Sequence, residues 1–190
     1  YSGFWHQNIL LEVQLMAVIC ELYYYMTGIS INAYDIDTRN KYDDEKFMNL
    51  SLTGASIADF STRRRFSKDN QERMLKLFLE KQPKTLVGTS NVALARKYNL
   101  TPIGTMAHEA FMFHAAKYGV LSANRIMQEN WSSIFKGSLG TVLTDTYTTN
   151  NFLENFDIYN SKLYDGVRHD SGNPFEFANK IVNHYKSKGI

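Results

Sequence analysis

From residue 55 onward, short strand-like runs alternate with longer helical segments, and this rhythm limits the possible folds more than any other feature of the sequence. Five such pairs follow one another, with the strand-like runs ASIADF, TLVG, TPIGT, GTVLT and YDGVRHD. A helix that follows a strand carries the chain back, so that the next strand can run parallel to the first. The repeated pairs therefore predict an α/β fold, with a parallel sheet and helices outside it.

A helix with apolar side chains on most of its faces is predicted before this rhythm begins. It spans residues 5–27, ends before Gly28, and is expected to be mostly buried against another subunit or a further domain. Residues 33–50 are more polar and predict a solvated helix or a loop. We therefore divide the chain into a helical lead-in over residues 1–50, which belongs to or contacts a second domain, and a partial β/α domain over residues 51–190.

The helix that closes the chain carries clear start and stop signals. Asn173 can cap its N-terminus, Pro174 suits the first helical position, and Gly189 follows its last residues. Because the chain starts with Tyr1 rather than Met, we expect it to be a segment of a longer protein.

Composition and charge exclude several classes of protein. Hydrophobic residues make up 44% of the chain, which is enough for a sizeable core and too many for a disordered chain. The formal net charge is only +2, so charge does not indicate a nucleic acid or an anionic membrane as partner. The single cysteine, Cys20, excludes an internal disulfide and suits a reducing compartment. The apolar run from Val13 to Cys20 is far shorter than the ~20 residues of a membrane span. We predict a cytoplasmic protein with no nucleic-acid or membrane partner.

Each predicted strand runs directly into a polar motif. The five motifs are Thr62–Arg65, Gly88–Asn91, Gly104–Glu109, Thr144–Thr146 and Arg168–Gly172. All of them fall at the predicted carboxyl ends of strands, the edge at which parallel α/β proteins build their active sites. This placement predicts an enzyme or a ligand-binding protein.

The arginine triplet Arg63, Arg64 and Arg65 predicts an anion site. A short basic run is usually a solvated surface, but this one closes a strand beside Phe60, so we expect at least one guanidinium to bind a carboxylate or a phosphate. The glycines of the next two motifs would let a ligand approach the backbone near a helix N-terminus. Neither the dinucleotide-binding glycine pattern nor the P-loop pattern occurs in the sequence.

His108 is the strongest catalytic candidate among the five histidines, because it lies at a strand-to-helix junction beside Glu109. No histidine pair has the spacing of a zinc site on one helical face. Arg168 and Asp170 point to the same face of a predicted strand. A surface ion pair would explain them equally well in isolation, but their place at the carboxyl end of a strand favours a ligand site. Carboxylates at such a rim, Asp145 and Asp170, could hold Mg²⁺ or ribose hydroxyls.

As an ordered set, these motifs resemble the nicotinate phosphoribosyltransferase family. The matching segments are DFSTRRRFS, VGTSN, TPIGTMAHEAF, LTDT with FLENF, and GVRHDSGNP, and EVQLMAVICEL resembles the helix before the family's barrel. The resemblance implies a partial irregular β/α (TIM-like) barrel of about five βα units, a second domain, and a homodimer with composite active sites. It also implies synthesis of nicotinate mononucleotide and pyrophosphate from nicotinate and 5-phosphoribosyl 1-pyrophosphate, in the salvage route to NAD. ATP hydrolysis would be coupled through a phosphohistidine, with Mg²⁺ present.

The resemblance implies roles for individual residues. His108 would be the phosphorylated histidine, Phe60 would stack on the pyridine ring, and Arg63 would lie beside that ring. Ser90 stands where nicotinamide-using relatives carry an aspartate, which favours the acid as substrate. The other implied contacts to ribose, phosphates, Mg²⁺ or nicotinate fall on Asn91, Asp145, Arg168, Asp170, Ser171 and Gly172.

Some family features do not occur in this sequence, and other functions stay open. The family's N-terminal D-x-Y-K region and its glycine-rich phosphate loop are not among these residues, so we expect the segment alone to be inactive. Ser61 replaces a glycine that is common in the family. The alternatives are a phosphoribosyltransferase that uses nicotinamide or quinolinate, a non-catalytic paralogue or subunit that binds phosphorylated ligands, and a metal-dependent barrel hydrolase, which the missing metal-ligand spacing disfavours.

Overall fold

A computed structural model of the protein describes residues 2–30, 35–136 and 138–190, and these ranges contain ten α-helices and four short β-strands. The chain forms two compact units, Tyr1–Gly104 and Thr105–Ile190, which we call the N-terminal and C-terminal units. An α/β fold with parallel strands, as the sequence predicts, is confirmed in both units. The division of the chain at residue 50 stays a prediction about the larger protein.

Among its described residues, the N-terminal unit has five α-helices and two strands. In chain order they are α1 (Trp5–Asn8), α2 (Glu12–Met26), α3 (Ile36–Thr53), β1 (Ile57–Asp59), α4 (Lys68–Lys81), β2 (Leu86–Thr89) and α5 (Val92–Tyr98). Short 3₁₀ turns at Ile9–Leu11 and Thr62–Arg64 lie between α1 and α2 and between β1 and α4. The polar stretch that predicts a helix or a loop is helical from Ile36, and its residues 33 and 34 lie outside the described ranges.

The first long helix exposes most of its apolar side chains within this chain, and its burial against another subunit or a further domain stays a prediction. Ala17 is the one residue of α2 that is buried there, and Leu22, Tyr25 and Met26 are more than half exposed. One side of the helix packs against the segment after β1, where the Tyr24 and Phe66 rings lie 4.5 Å apart. By length and composition only, Trp5–Met26 could cross a membrane, a test that core helices of soluble proteins also pass. Cytoplasmic location stays a prediction.

Strands β1 and β2 pair in parallel, with Asp59 opposite Thr89 at their carboxyl ends. The third predicted strand, TPIGT, is reduced to a single parallel bridge between Thr89 and Pro102. Pro102 has no N–H to offer to a further strand on its other side. Behind the pair, Leu75, Leu86 and Leu94 form the buried centre of the unit.

The C-terminal unit consists of five helices and two strands. They are α6 (His108–Tyr118), α7 (Val120–Phe135), β3 (Thr141–Leu143), α8 (Thr149–Asn155), α9 (Ile158–Leu163), β4 (Gly166–Arg168) and α10 (Pro174–Ser187). Strands β3 and β4 pair in parallel, with Leu143 opposite Arg168. The core is aromatic, since Phe111, Phe152 and Phe156 are fully buried.

The start of α10 confirms the predicted cap. The side chain of Asn173 accepts hydrogen bonds from the backbone N–H groups of Phe175 at 2.9 Å and Glu176 at 3.3 Å, and Pro174 takes the first helical position. Each unit thus holds one two-stranded parallel sheet. A closed barrel is not seen among the described residues, and the barrel remains an expectation for the complete catalytic domain.

Candidate active site

The polar motifs fall into two groups, one in each compact unit. Phe60, Arg63, Ser90 and Asn91 lie in the N-terminal unit, in the segments that follow β1 and β2. The residues His108, Asp145, Arg168, Asp170, Ser171 and Gly172 lie in the C-terminal unit. Each group lies at the carboxyl ends of a parallel strand pair, as the sequence predicts.

Asp59, the last residue of β1, is the hydrogen-bonding centre of the first group. One carboxylate oxygen accepts from the backbone N–H of Ser61 at 3.0 Å and from the Ser61 hydroxyl at 2.6 Å. The other oxygen accepts from Gln71 Nε2 at 2.8 Å and from the Thr89 hydroxyl at 2.7 Å. Burial raises the pKa of this carboxyl, but the hydrogen bonds from Ser61, Gln71 and Thr89 outweigh burial and hold the pKa below its ordinary value of 3.8.

The arginine triplet is bound mainly to glutamates of α2. Arg63 Nη1 lies 3.1 Å from Glu12 Oε1, and Arg65 Nε lies 3.0 Å from Glu21 Oε1. The pair at Arg63 is exposed, with 47% of that side chain accessible, so water weakens it. The Arg64 side chain has no hydrogen-bond or ion-pair partner among the described residues. The self-repulsion of three adjacent cations is therefore relieved within the unit, without a bound ligand.

Phe60 and Ser90 present side chains that are open to a ligand. The Phe60 side chain follows β1 and is 48% exposed. Ser90 is held by its backbone, whose N–H donates to the Asp59 carbonyl at 2.7 Å, while its hydroxyl has no partner among the described residues. Asn91 is more committed: its Oδ1 caps α5 at Leu94 N, 3.1 Å away, and its Nδ2 donates to the Thr62 hydroxyl at 3.2 Å.

Gly88 is needed for a reason other than the predicted approach of a ligand. A Cβ atom at this position would lie 2.2 Å from the carbonyl oxygen of Thr101 and 2.7 Å from Cδ1 of Ile103. The backbone hydrogen bonds from Thr89 N to Thr101 O and from Ile103 N to Thr89 O, at 3.1 and 3.0 Å, draw the two segments together. Glycine at this position therefore permits the close packing of residues 101–103 against β2.

In the second group, His108 faces two carboxylates. It is the first residue of α6, and its Nε2 lies 3.3 Å from Asp145 Oδ1 and 3.8 Å from Asp170 Oδ2. The Ser171 hydroxyl donates to Asp145 Oδ2 at 2.5 Å. The nearer carboxylate, Asp145, is thus fixed on one side by Ser171 and can orient the imidazole on the other.

Arg168 connects the end of β4 to the segment before α6. Its Nη1 donates to the Thr105 hydroxyl and to the Met106 carbonyl, the latter at 3.2 Å, and its Nη2 lies 3.5 Å from Asp170 Oδ1. Its Nε is buried with no acceptor among the described residues. Gly172 has a backbone φ of +90°, which glycine adopts far more easily than other residues, so the turn after Ser171 depends on it.

Ligand atoms of His108, Asp145 and Asp170 all lie within 4.8 Å of one another, close enough to surround one cation. Two carboxylates and an imidazole can bind several divalent metals, and the carboxylate oxygens suit Mg²⁺. No side chain among the described residues caps the N-terminus of α6, so the first N–H groups of this helix remain available to an anion such as phosphate. The arrangement can therefore bring together a nucleophile, two carboxylates and an anion-binding helix end.

Several contacts of this region were not predicted from the sequence. Asp59 carries no prediction although its spacing to Ser61 is typical of an Asx turn, a signal that could have identified it. The partners Glu12, Glu21 and Gln71 are separated from the motifs in sequence by up to 51 residues, and no local pattern marks them. Ser171 is predicted to bind substrate, and the structure shows it bonded to Asp145.

Comparison with known proteins places these motifs in one family. The family model described as "Nicotinate phosphoribosyltransferase (NAPRTase) family" matches residues 55–190. A nicotinate phosphoribosyltransferase of Desulforapulum autotrophicum is 47% identical over 197 residues, covering 100% of this chain and 48% of that protein. One from Chromohalobacter salexigens is 44% identical over 192 residues, with the same two coverages. The chain thus spans about half the length of the curated relatives it matches.

Solved structures agree with this result. The crystal structure of nicotinate phosphoribosyltransferase from Porphyromonas gingivalis matches 97% of this chain and 47% of its own, with a TM-score of 0.90 and 38% sequence identity. The corresponding structure from Vibrio cholerae matches 99% of this chain and 45% of its own, with a TM-score of 0.89 and 34% identity. The backbone described above is therefore similar to part of both structures.

Proposed function

Because the chain belongs to the nicotinate phosphoribosyltransferase family, we propose that the full-length protein makes nicotinate mononucleotide and pyrophosphate from nicotinate and 5-phosphoribosyl 1-pyrophosphate. The observation that carries this proposal is the match over residues 55–190, which contain every polar motif of the candidate site. The reaction would belong to the salvage of NAD, in the cytoplasm. We further propose that the catalytic domain is completed as an irregular β/α barrel and that the protein acts as a homodimer.

The N-terminal unit would bind nicotinate. The accessible ring of Phe60 offers an aromatic face to the flat pyridine. The guanidinium of Arg63 would donate hydrogen bonds to the nicotinate carboxylate. Its exposed ion pair with Glu12 contributes only about 0–1 kcal/mol, so nicotinate can easily replace Glu12 as its partner. The Ser90 hydroxyl is uncharged and without a partner among the described residues, so it tolerates a carboxylate nearby, whereas an aspartate would repel it.

The C-terminal unit would carry the phosphoryl-transfer step. If Nε2–H of His108 donates to Asp145, the lone pair of the neutral imidazole lies on Nδ1, which would attack the γ-phosphorus of ATP. A nitrogen–phosphorus bond forms, the phosphorus–oxygen bond to ADP breaks, and Asp145 stabilises the positive charge on the ring. The uncapped N-terminus of α6 offers N–H groups to the phosphoryl oxygens.

The same carboxylates would act in the ribosyl transfer. Loss of pyrophosphate from the sugar develops positive charge at the ribose carbon, which Asp145 and Asp170 can stabilise. The guanidinium of Arg168, whose Nε–H has no acceptor among the described residues, would turn toward a phosphate of the ribosyl substrate and donate to it. We propose that Asp145 and Asp170 hold Mg²⁺, which when bound neutralises phosphate charge.

The test is an assay of the full-length protein with 5-phosphoribosyl 1-pyrophosphate, Mg²⁺, and either nicotinate or nicotinamide, with and without ATP. Formation of nicotinate mononucleotide that ATP stimulates, with the stimulation lost in His108→Ala, is the expected result. His6→Ala is the matched control, because His6 is an exposed histidine that stacks on Phe4, 5.9 Å between ring centroids. If only nicotinamide is turned over, nicotinamide and not nicotinate is the substrate. If neither base gives a product, the protein is better explained as a non-catalytic binding protein.

A further inference from the structure

Asp59, a side chain that the proposed chemistry does not use, connects the segments that follow β1 and β2. It bonds through its carboxylate to Ser61 in the first loop and to Thr89 at the end of β2. Its backbone carbonyl accepts from the N–H of Ser90 at 2.7 Å. A second bridge runs through Thr62, whose hydroxyl accepts from Gln71 and Asn91.

A carboxylate satisfies this arrangement of donors better than an amide does. Four donors point at its two oxygens: the N–H and O–H of Ser61, the amide N–H of Gln71 and the hydroxyl of Thr89. An asparagine has one acceptor oxygen and would turn an N–H group toward the remaining donors. Gln71 is 3% exposed and Thr89 is fully buried, so water cannot easily replace the lost acceptor.

We propose that Asp59 is a positioning residue for the pyridine substrate, which holds Phe60, Arg63 and Ser90 in the arrangement that binds nicotinate. This inference rests on the proposed function, because those three residues are the proposed nicotinate contacts. Asp59 itself touches no substrate in this proposal. It acts by fixing Ser61, which lies between Phe60 and the arginines, and the backbone of Ser90.

The decisive variants reverse the polarity of one hydrogen bond. Asp59→Asn removes the acceptor for Gln71, and Gln71→Glu places two carboxylates against each other. In the double variant the new amide donates to the new carboxylate, and the Thr89 hydroxyl can turn to accept. The net charge of the pair is also restored. Asp157→Asn is the matched control, because the exposed Asp157 only caps α9 by accepting from Asn160 N at 2.8 Å, a role that asparagine performs equally well.

The first measurement is the KM for nicotinate in the full-length protein. Each single variant is expected to raise KM about tenfold or more, and the double variant to recover most of the loss. A merely structural role would lower the fraction of active protein, and with it the apparent kcat, while KM stayed unchanged. An unchanged KM in Asp59→Asn, or a double variant no better than either single one, would overturn the proposal.

The second measurement does not depend on turnover. Amide hydrogen exchange, followed by mass spectrometry of fragments containing residues 59–66 and 86–95, is expected to speed up in Asp59→Asn and to slow again in the double variant. If the wild-type protein makes no product, the proposed function fails while this measurement still decides whether Asp59 fixes the loops. Exchange equal to that of the wild-type protein in all variants would show that it does not.

Discussion

Gly88→Ala is the substitution whose effect the structure defines most directly. The added Cβ would lie 2.2 Å from the Thr101 carbonyl oxygen and 2.7 Å from Cδ1 of Ile103. An ordinary carbon–oxygen contact needs about 3.3 Å, so β2 and residues 101–103 would have to separate by about 1 Å. The Ile103 methyl can rotate away, but the carbonyl belongs to the backbone and cannot.

That separation breaks the two hydrogen bonds on either side of the contact. The bonds Thr89 N to Thr101 O and Ile103 N to Thr89 O, now 3.1 and 3.0 Å long, would lengthen to about 4 Å, beyond hydrogen-bonding range. Each lost bond costs about 0.5–1.5 kcal/mol. The strain of overpacking adds about 1–3 kcal/mol. We therefore expect the free energy of unfolding to fall by about 2–6 kcal/mol.

Equilibrium urea unfolding of the full-length protein, followed by tryptophan fluorescence, measures this loss. Gly104→Ala is the matched control, because a Cβ there meets nothing within 4 Å. It is expected to leave stability unchanged or to raise it by up to about 1 kcal/mol. If Gly88→Ala were as stable as Gly104→Ala, the reasoning on the packing of residues 101–103 against β2 would be refuted.

Three further predictions concern acid stability, substrate choice and the core. Folding lowers the pKa of Asp59, so the ionised carboxylate stabilises the fold fully above the ordinary value of 3.8, and this stabilisation is lost as pH falls through the lowered pKa. Below about pH 4, the urea midpoint should therefore fall less steeply with pH in Asp59→Asn than in the wild-type protein, and equal slopes would contradict this. Ser90→Asp should reduce kcat/KM for nicotinate about tenfold or more, because the new carboxylate repels that of nicotinate, whereas nicotinamide serves as the uncharged comparison. An unchanged ratio of kcat/KM for nicotinate to kcat/KM for nicotinamide would show that Ser90 does not contact the base. Phe111→Ala, at a fully buried position, should cost about 3–5 kcal/mol in urea unfolding, whereas Leu121→Ala, at 84% exposure, should change stability by less than about 0.5 kcal/mol.

Local patterns in the sequence predicted the parts of the fold that local physics determines. The alternation of strands and helices gave the α/β class, because hydrophobic period and length are visible within a single segment. The cap at Asn173 was predicted because a capping side chain bonds to residues two and three positions away. His108 was predicted at a helix start, and it lies there beside Asp145 and Asp170.

The failures come from contacts between distant segments. The sequence of α2 indicates that this apolar helix needs a partner, but no local pattern identifies that partner. The run TPIGT has the pattern of an extended segment, but it pairs with β2 through one bridge only. The role of Asp59 depends on Gln71 and Thr89, which are 12 and 30 residues away.

The loop Gly88–Asn91 has a consequence for how this protein can evolve. A side chain at Gly88 would displace residues 101–103, the Thr89 hydroxyl donates a hydrogen bond to Asp59, and the Asn91 side chain caps α5. Substitution at any of these three positions would therefore disturb the fold of the loop, whatever its effect on ligand specificity. Ser90 is fixed only through its backbone, and its hydroxyl has no partner among the described residues. If this loop binds the proposed base, Ser90 is therefore the position at which a single change could alter the choice of base without disturbing the hydrogen bonds of the loop.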